Sequence, residues 1–200
     1  MGLRARGTSL LLIAMSLCLL GPATGAGAIT ESWSVATRFT DAAGTTFQHR
    51  PPSAETAQQA AFELSARHPR GDAPRGRAAA AVKARFSGVI ADNVVIIYFG
   101  RNQEAANDPV AQLRVYVHCD GEIEDDWAFV GRKDVLPSTS GDTMAKSITP
   151  EDCETQLIDG LMLQVLTGEA NDRRRRTVFL RRAELRQSAT PVWTEDFTVP

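Results

Sequence analysis

The chain has 200 residues, a formal net charge of −2 and 43% hydrophobic side chains. This length suits one globular domain with a real core, and a slightly acidic balance argues against a nucleic-acid-binding protein. The apolar run at residues 10–20 is too short for a transmembrane anchor, because a helix of that length spans about 16 Å of a hydrocarbon core about 30 Å thick. We therefore predict neither a nucleic-acid partner nor a membrane span.

The first 28 residues have the three parts of a cleavable secretory signal peptide in the expected order. These parts are the basic residues Arg4 and Arg6, the apolar run, and the small residues Ala26 and Ala28. Cleavage after Ala28 would lower the number of basic side chains from 22 to 20 against 24 acidic ones, so the net charge would become −4. An Arg-rich, Lys-poor composition is typical of a GC-rich bacterial genome, and the predicted location is the periplasm or, second, the extracellular medium.

Cleavage would also remove Cys18 and leave Cys119 and Cys153 as an even pair. An exported chain with two cysteines is expected to form a disulfide, which here would close a loop of about 35 residues. Two separate buried thiols are the alternative. A zinc site is less favoured because the sequence has no C-x-x-C pair.

The first part of the predicted mature chain mixes strand and helix signals. Loose alternation over residues 29–40 predicts a strand, and residues 45–48 a short return strand. Ser53 as N-cap, with alanines and Leu64 at helical spacing, predicts a helix over residues 53–68. A Gly/Pro-rich linker follows at residues 69–77.

From residue 79 the sequence is typical of a β-meander. Strands are predicted at 83–90, 94–99, 112–119 and 127–130, followed by a polar stretch at 131–146. Thr149-Pro150 with acids behind it predicts a second helix to Ile158, with Gly160 as its stop. The last strand pair is predicted at residues 161–166 and 177–185.

The predicted fold class is therefore α+β, mostly antiparallel β, with about seven strands and two short helices in a sandwich or a curved sheet. The domains are a signal peptide at 1–28, one globular domain at 29–186, and an extended C-terminal tail at 187–200. Trp193 and Phe197 in that tail are candidates for docking on the domain.

Five carboxylates lie between two predicted strands, at Asp120, Glu122, Glu124, Asp125 and Asp126. Carboxylate-rich loops bind Ca²⁺, so Asp120, Glu122, Glu124 and Asp126 are candidate metal ligands. The spacing is not that of an EF-hand, and a solvated hairpin tip is the alternative. We expect no obligatory cofactor.

His118 precedes this loop and shares a face with its carboxylates on an extended chain. That arrangement could begin a general base or a transition-metal site. The alternative is a histidine on the solvent side of a strand. No motif for a serine nucleophile, a Walker loop or an HExxH metal site is present, so no catalytic residue is assigned.

Arginines dominate the last predicted strand. The candidate ligand-binding residues are Arg173, Arg174, Arg175, Arg176, Arg181 and Arg182. Guanidinium groups suit phosphate and carboxylate ligands, whereas charges along an exposed strand can also protect a sheet edge.

The functional hypothesis is a non-catalytic exported interaction protein, of the inhibitor or immunity type, that binds a protein partner or an anionic envelope component. The alternative is a small hydrolase or metal-dependent enzyme centred on His118 and the acidic loop 120–126. The sequence does not identify a ligand, a partner or an oligomeric state.

Overall fold

A computed structural model describes residues 31–40, 45–53, 56, 59–67, 78–100, 111–136, 141–167 and 175–199. The predicted signal peptide at 1–28 lies outside these residues. Within them the chain forms a β-sandwich of two antiparallel sheets. Its only helical element there is a 3-10 turn, Thr37–Phe39, and no described helix is long and apolar enough to span a membrane.

The five-stranded sheet has the order β1-β4-β9-β6-β7. Its strands are β1 (Ser34–Val35), β4 (Ala79–Ile90), β9 (Leu157–Thr167), β6 (Ala111–Cys119) and β7 (Ala128–Val135). Apolar and polar side chains alternate along the long central strands, because one face of each strand packs on the core. In β6, Leu113 and Val115 point to the core while Arg114 points away from it.

The six-stranded sheet has the order β2-β3-β10-β5-β8, with β11 paired to the second half of β10. Its strands are β2 (Thr46–Arg50), β3 (Ala61–Ala66), β10 (Arg176–Gln187), β5 (Asn93–Gly100), β8 (Asp142–Ser147) and β11 (Thr190–Asp196). Strand β5 lies between β10 and β8, which explains its apolar, β-branched sequence.

The core fills the space between the two sheets. Its fully buried side chains from the five-stranded sheet include Leu113, Val115, Leu161 and Leu163, and those from the six-stranded sheet include Leu64, Ile96, Leu180 and Leu185. The sandwich part of the fold prediction is confirmed. The predicted count of seven strands is too low, because the described residues alone form eleven.

Neither predicted helix is present as predicted. Within 53–68, residues Ala61–Ala66 form strand β3, whose alternate residues Phe62 and Leu64 face the core. Residues 149–156 form turns, and Leu157 already begins β9, so Gly160 lies inside a strand instead of ending a helix. Pairing with neighbouring strands supplies the backbone hydrogen bonds in β3 and β9 and outweighs local helix propensity.

The C-terminal residues are not an extended tail. Strand β11 pairs with β10 from Gln187↔Thr190 to Arg182↔Asp196. The expected docking is confirmed: Phe197 is fully buried, and Trp193 stacks on Phe86 with ring centroids 4.6 Å apart. The last predicted strand pair is also rearranged, because β9 and β10 belong to different sheets.

Candidate functional site

The disulfide predicted from the cysteine pair is confirmed. Cys119, the last residue of β6, bonds to Cys153, and the two Cα atoms are 5.8 Å apart. The bond ties the turn 149–156 to the end of the five-stranded sheet. It therefore holds this turn beside the loop 120–126 that follows β6.

The outer face of the five-stranded sheet carries an ordered set of aromatic and polar side chains at its β6–β7 edge. Alternate residues of β6 point outward, and the antiparallel register places their β7 partners beside them. We call this surface the β6–β7 face; it consists of Gln112, Arg114, Tyr116, Phe129, Arg132 and Asp134.

Phe129 is the exposed aromatic group of this face. This residue is 47% exposed, which is unusual for a phenylalanine on a strand of a packed sheet. The Tyr116 ring meets it edge-on, with centroids 5.4 Å apart, and the Arg114 guanidinium lies 6.0 Å from its centroid. The Phe129 ring thus contacts Tyr116 and Arg114 while it remains partly exposed to solvent.

A chain of planar polar groups runs beside this ring. Arg114 Nε donates to Gln112 Oε1 at 2.9 Å, and Gln112 Nε2 donates to Asp134 Oδ1 at 3.0 Å. Gln112 is buried, whereas Asp134 is exposed. The hydrogen bonds fix the orientation of the three groups before any ligand arrives, which lowers the entropic cost of binding.

The other half of the outer face is covered by the segment that precedes β2. Ala36 N donates to Ala81 O at 2.9 Å, and Gln164 Nε2 donates to Phe39 O at 2.9 Å. The Phe39 ring packs on Tyr116 with centroids 5.7 Å apart. The accessible part of the face is therefore the half formed by β6 and β7.

His118 lies on the same outer side but is fully buried, so its predicted solvent-side position is wrong. Its Nδ1 lies 2.6 Å from Asp159 Oδ1, and its Nε2 lies 3.0 Å from the carbonyl oxygen of Ile123. Arg85 Nη2 contacts the other Asp159 oxygen at 2.5 Å. With both ring nitrogens engaged and no exposed surface, His118 holds the loop 120–126 in place and leaves no nitrogen for a substrate.

The carboxylates of that loop do not converge. All five are exposed, and Asp125 lies 3.8 Å from Arg38 and 3.9 Å from Lys83. Among the described residues, no group of three or more His, Cys, Asp or Glu side chains is placed to hold a metal ion. Glu122 and Asp126 line a cavity of about 480 Å³ beside the disulfide, together with Glu151 and Glu154.

The candidate arginines are spread over several environments. Arg173 and Arg174 lie outside the described residues. Arg175 lies 3.8 Å from the buried Glu63, and Arg176 is buried at the start of β10, where burial lowers its pKa. Arg181 and Arg182 line a second cavity on the outer face of the six-stranded sheet. Of the candidate arginines in the described residues, Arg181 and Arg182 are the two that line a common cavity.

No protein-family model matches the sequence, and no curated protein matches it. Solved structures match at low identity. A carbohydrate-binding module of family 28 specific for non-crystalline cellulose has 12% identity and a TM-score of 0.48, covering 74% of this chain and 84% of that one.

Two further matches are of the same kind. A Caldicellulosiruptor saccharolyticus family 27 module, solved with mannohexaose, has 12% identity and a TM-score of 0.47, covering 76% of this chain and 89% of that one. A family 32 module from a Clostridium perfringens glycoside hydrolase has 13% identity and a TM-score of 0.36, covering 72% and 92%. All three TM-scores lie below 0.5, so the likeness is loose.

Proposed function

We propose that this chain is a non-catalytic binding domain whose β6–β7 face holds a glycan chain. The observation that carries the proposal is the exposed Phe129 ring, supported by Tyr116 and bordered by Arg114. The matched structures include modules described with cellulose and mannohexaose, but their likeness is loose, and the proposal rests on the surface of this chain.

The chemistry of the face suits a sugar ring. A pyranose presents apolar C–H groups on one side and hydroxyl groups around its rim. A flat aromatic ring provides an apolar platform for the first, and planar guanidinium, amide and carboxylate groups pair with neighbouring hydroxyls as donors and acceptors. Phe129 supplies the platform, while Arg114, Gln112 and Asp134 supply the polar groups.

Two features of the polar groups support binding over a purely structural role. Among the described residues, the Arg114 guanidinium makes one hydrogen bond, from Nε, so its terminal N–H groups are available to hydroxyl oxygens. Arg132 is exposed and lies opposite Arg114 on β7, which extends the polar edge along the strand. An open face bordered in this way accommodates an extended chain of sugars.

The alternative enzymatic function centred on His118 has weaker support from the geometry. General acid–base chemistry needs a titratable group within hydrogen-bond reach of the substrate. His118 is fully buried beneath the loop 120–126 and already contacts oxygen atoms through both nitrogens. The proposed function is therefore binding without catalysis.

The proposal includes a location outside the cytoplasm. The disulfide Cys119–Cys153 suits an oxidising compartment, and the first 28 residues have the pattern of a signal peptide. Glycans of the cell envelope or the surroundings would be the ligands available there. Intact-mass measurement of the exported protein should give a chain that begins at Ile29.

Affinity gel electrophoresis tests the proposed ligand class. The purified chain is run in native gels that contain a soluble β-glucan, a galactomannan or a xylan, and a gel without polysaccharide serves as reference. At least one polysaccharide should retard the chain. Phe129→Ala should weaken that retardation about tenfold, because it removes the stacking platform and its apolar contact area.

The matched control is Val192→Ala, which removes an exposed apolar side chain on β11, away from the β6–β7 face. This variant should bind as the unaltered chain does. Retardation that is equal in the Phe129→Ala variant would overturn the assignment of the face. Absence of retardation by the β-glucan, the galactomannan and the xylan alike would overturn the proposed ligand class.

A further inference from the structure

The outer face of the six-stranded sheet contains a cavity of about 300 Å³ near the end of β11. It is lined by Ile97, Arg181, Arg182, Asp196 and Thr198. This cavity lies on the opposite side of the sandwich from the β6–β7 face. Its volume is at the lower end of the range for small-molecule sites, which suits one small chemical group.

A β-bulge places two successive arginines at this cavity. In the pairing of β10 with β5, Leu180 lies opposite Tyr98 and Arg182 lies opposite Ile97, so Arg181 is an extra residue without an opposite partner. A regular strand would send one of two successive side chains into the core. The bulge instead keeps both arginines on the cavity side, and such re-aiming of side chains is a common use of bulges at binding sites.

The bulge is held by the end of β11. Phe197 N donates to the carbonyl oxygen of Arg181 at 2.9 Å, and the Phe197 side chain is fully buried in the core. The position of the Arg181 backbone is therefore fixed by a core contact. A binding group on such a support loses little freedom when a ligand arrives.

The charges around the cavity do not cancel. Arg182 is shared between Glu184, at 3.5 Å, and Asp196, at 3.6 Å. Arg181 forms no ion pair within the described part of the chain, and its buried Nε has no hydrogen-bond partner. A buried N–H without a partner costs about 1–3 kcal/mol, so the Arg181 guanidinium is not saturated by the described residues around it.

Asp196 pairs with Arg182, at 3.6 Å, and forms no ion pair with Arg181 within the described residues. Burial alone would raise the pKa of Asp196, but the Thr198 hydroxyl and N–H groups together with Arg182 hold it below its usual value. Thr198 Oγ1 and N both donate to Asp196 Oδ1, at 2.6 and 2.9 Å. The Asp196 carboxylate oxygens thus already have Thr198 and Arg182 as partners.

We propose that this cavity binds a small oxyanion group, a carboxylate, a sulfate or a phosphate, through the guanidinium groups of Arg181 and Arg182. Guanidinium groups pair with such oxygens through two parallel N–H···O bonds. The site is independent of the β6–β7 face, so it would give the domain a second ligand-binding surface. A glycan or lipid that carries an acidic group presents the required chemistry.

Isothermal titration of the full chain with inorganic phosphate, sulfate and D-glucuronate at low ionic strength tests the site. At least one anion should bind with saturation. Arg181→Gln should weaken its binding about tenfold or more, the value expected for losing a hydrogen bond to a charged group. The anion that binds most tightly shows which chemical group the cavity prefers: phosphate or sulfate would indicate a tetrahedral oxyanion, and D-glucuronate would indicate the carboxylate of a uronic acid.

Two further variants separate the loss of the paired N–H groups from the loss of positive charge and from a general effect on the fold. Arg181→Lys retains the positive charge and loses the paired N–H groups, so binding should weaken while the melting temperature stays close to that of the unaltered chain. Arg67→Gln, which removes an exposed arginine elsewhere, should bind normally. Binding of no anion, or binding that is equal in Arg181→Gln, would overturn the proposal. Phe129→Ala should leave anion binding unchanged, which separates this site from the glycan face.

Discussion

The imidazole of His118 and the carboxylate of Asp159 form a buried pair, with Nδ1 2.6 Å from Oδ1. Asp159 is the extra residue of a β-bulge in β9, since His118 lies opposite Gly160 and Cys119 lies opposite Ile158. The bulge turns Asp159 toward the outer side, where it meets His118 and Arg85. The pair anchors the loop 120–126 through the contact of His118 with Ile123.

Asp159→Asn should destabilise the fold by about 1–3 kcal/mol, because it weakens a buried hydrogen bond to a charged group. Urea denaturation followed by tryptophan fluorescence measures the change. Arg85→Gln is the control: the Arg85 side chain is 40% exposed, so its ion pair should contribute less than about 1 kcal/mol. Stability equal to that of the unaltered chain in Asp159→Asn would contradict the anchoring role.

The disulfide joins residues that are 34 positions apart in the sequence. Replacing both Cys119 and Cys153 with alanine should lower the free energy of unfolding by about 4 kcal/mol, the value that the chain-entropy model gives for a loop of this length. Thermal melting with and without reductant measures it. Reductant should lower the melting temperature of the unaltered chain and leave that of the double variant unchanged. A melting temperature of the unaltered chain that does not change with reductant would show that the bond does not stabilise the fold.

Gly160 lies where three side chains approach the backbone of β9. A Cβ atom there would lie 2.8 Å from Arg85 Cδ, 2.9 Å from a ring carbon of Trp127 and 3.0 Å from His118 Cβ. Gly160→Ala should therefore cost about 1–3 kcal/mol of stability. Gly141→Ala is the matched control, because among the described residues its nearest neighbour would be the Tyr98 carbonyl oxygen, at 3.8 Å. Equal melting temperatures for the two variants would contradict this packing.

Two strands could be predicted closely from the sequence, one from its two-residue alternation (112–119) and one from its apolar, β-branched run (94–99). Residues 112–119 and 94–99 agree with β6 and β5 to within one residue at each end. Strand β3 was missed because the alanines before and within it also fit a helical stripe. The signal for a strand was present in the order Phe62, Glu63, Leu64, whose members alternate between the core and the outer face.

The second predicted helix fails for a different reason. Thr149 and Asp152 do make the local bonds of a helix start: Thr149 N donates to Asp152 Oδ2, and Cys153 N donates to Thr149 O. The chain then leaves the helical path at Gln156, whose φ is 52°, and enters β9. Capping residues therefore predicted one correct turn but could not show how far it continues.

The candidate sites depended on strand register, which the sequence did not reveal. Asp159 lies 41 residues from His118, and only the pairing of β6 with β9 brings them together. Phe129 stands beside Arg114 for the same reason, through the register of β6 with β7. Arg181 and Arg182 belong to the six arginines that the sequence offers as ligand-binding candidates, but only the structure shows the bulge that places these two on one face.

Chemical-shift mapping can show residue by residue whether the β6–β7 face binds a glycan. The isotope-labelled chain is titrated with an oligosaccharide of the polysaccharide that retards it in gels, and the amide shifts are followed residue by residue. Saturable shifts should be concentrated at Arg114, Tyr116, Phe129 and Arg132, while the amides of Arg181 and Arg182 should not shift. Shifts concentrated on the six-stranded sheet, or no saturable shifts with any retained glycan, would contradict glycan binding at this face.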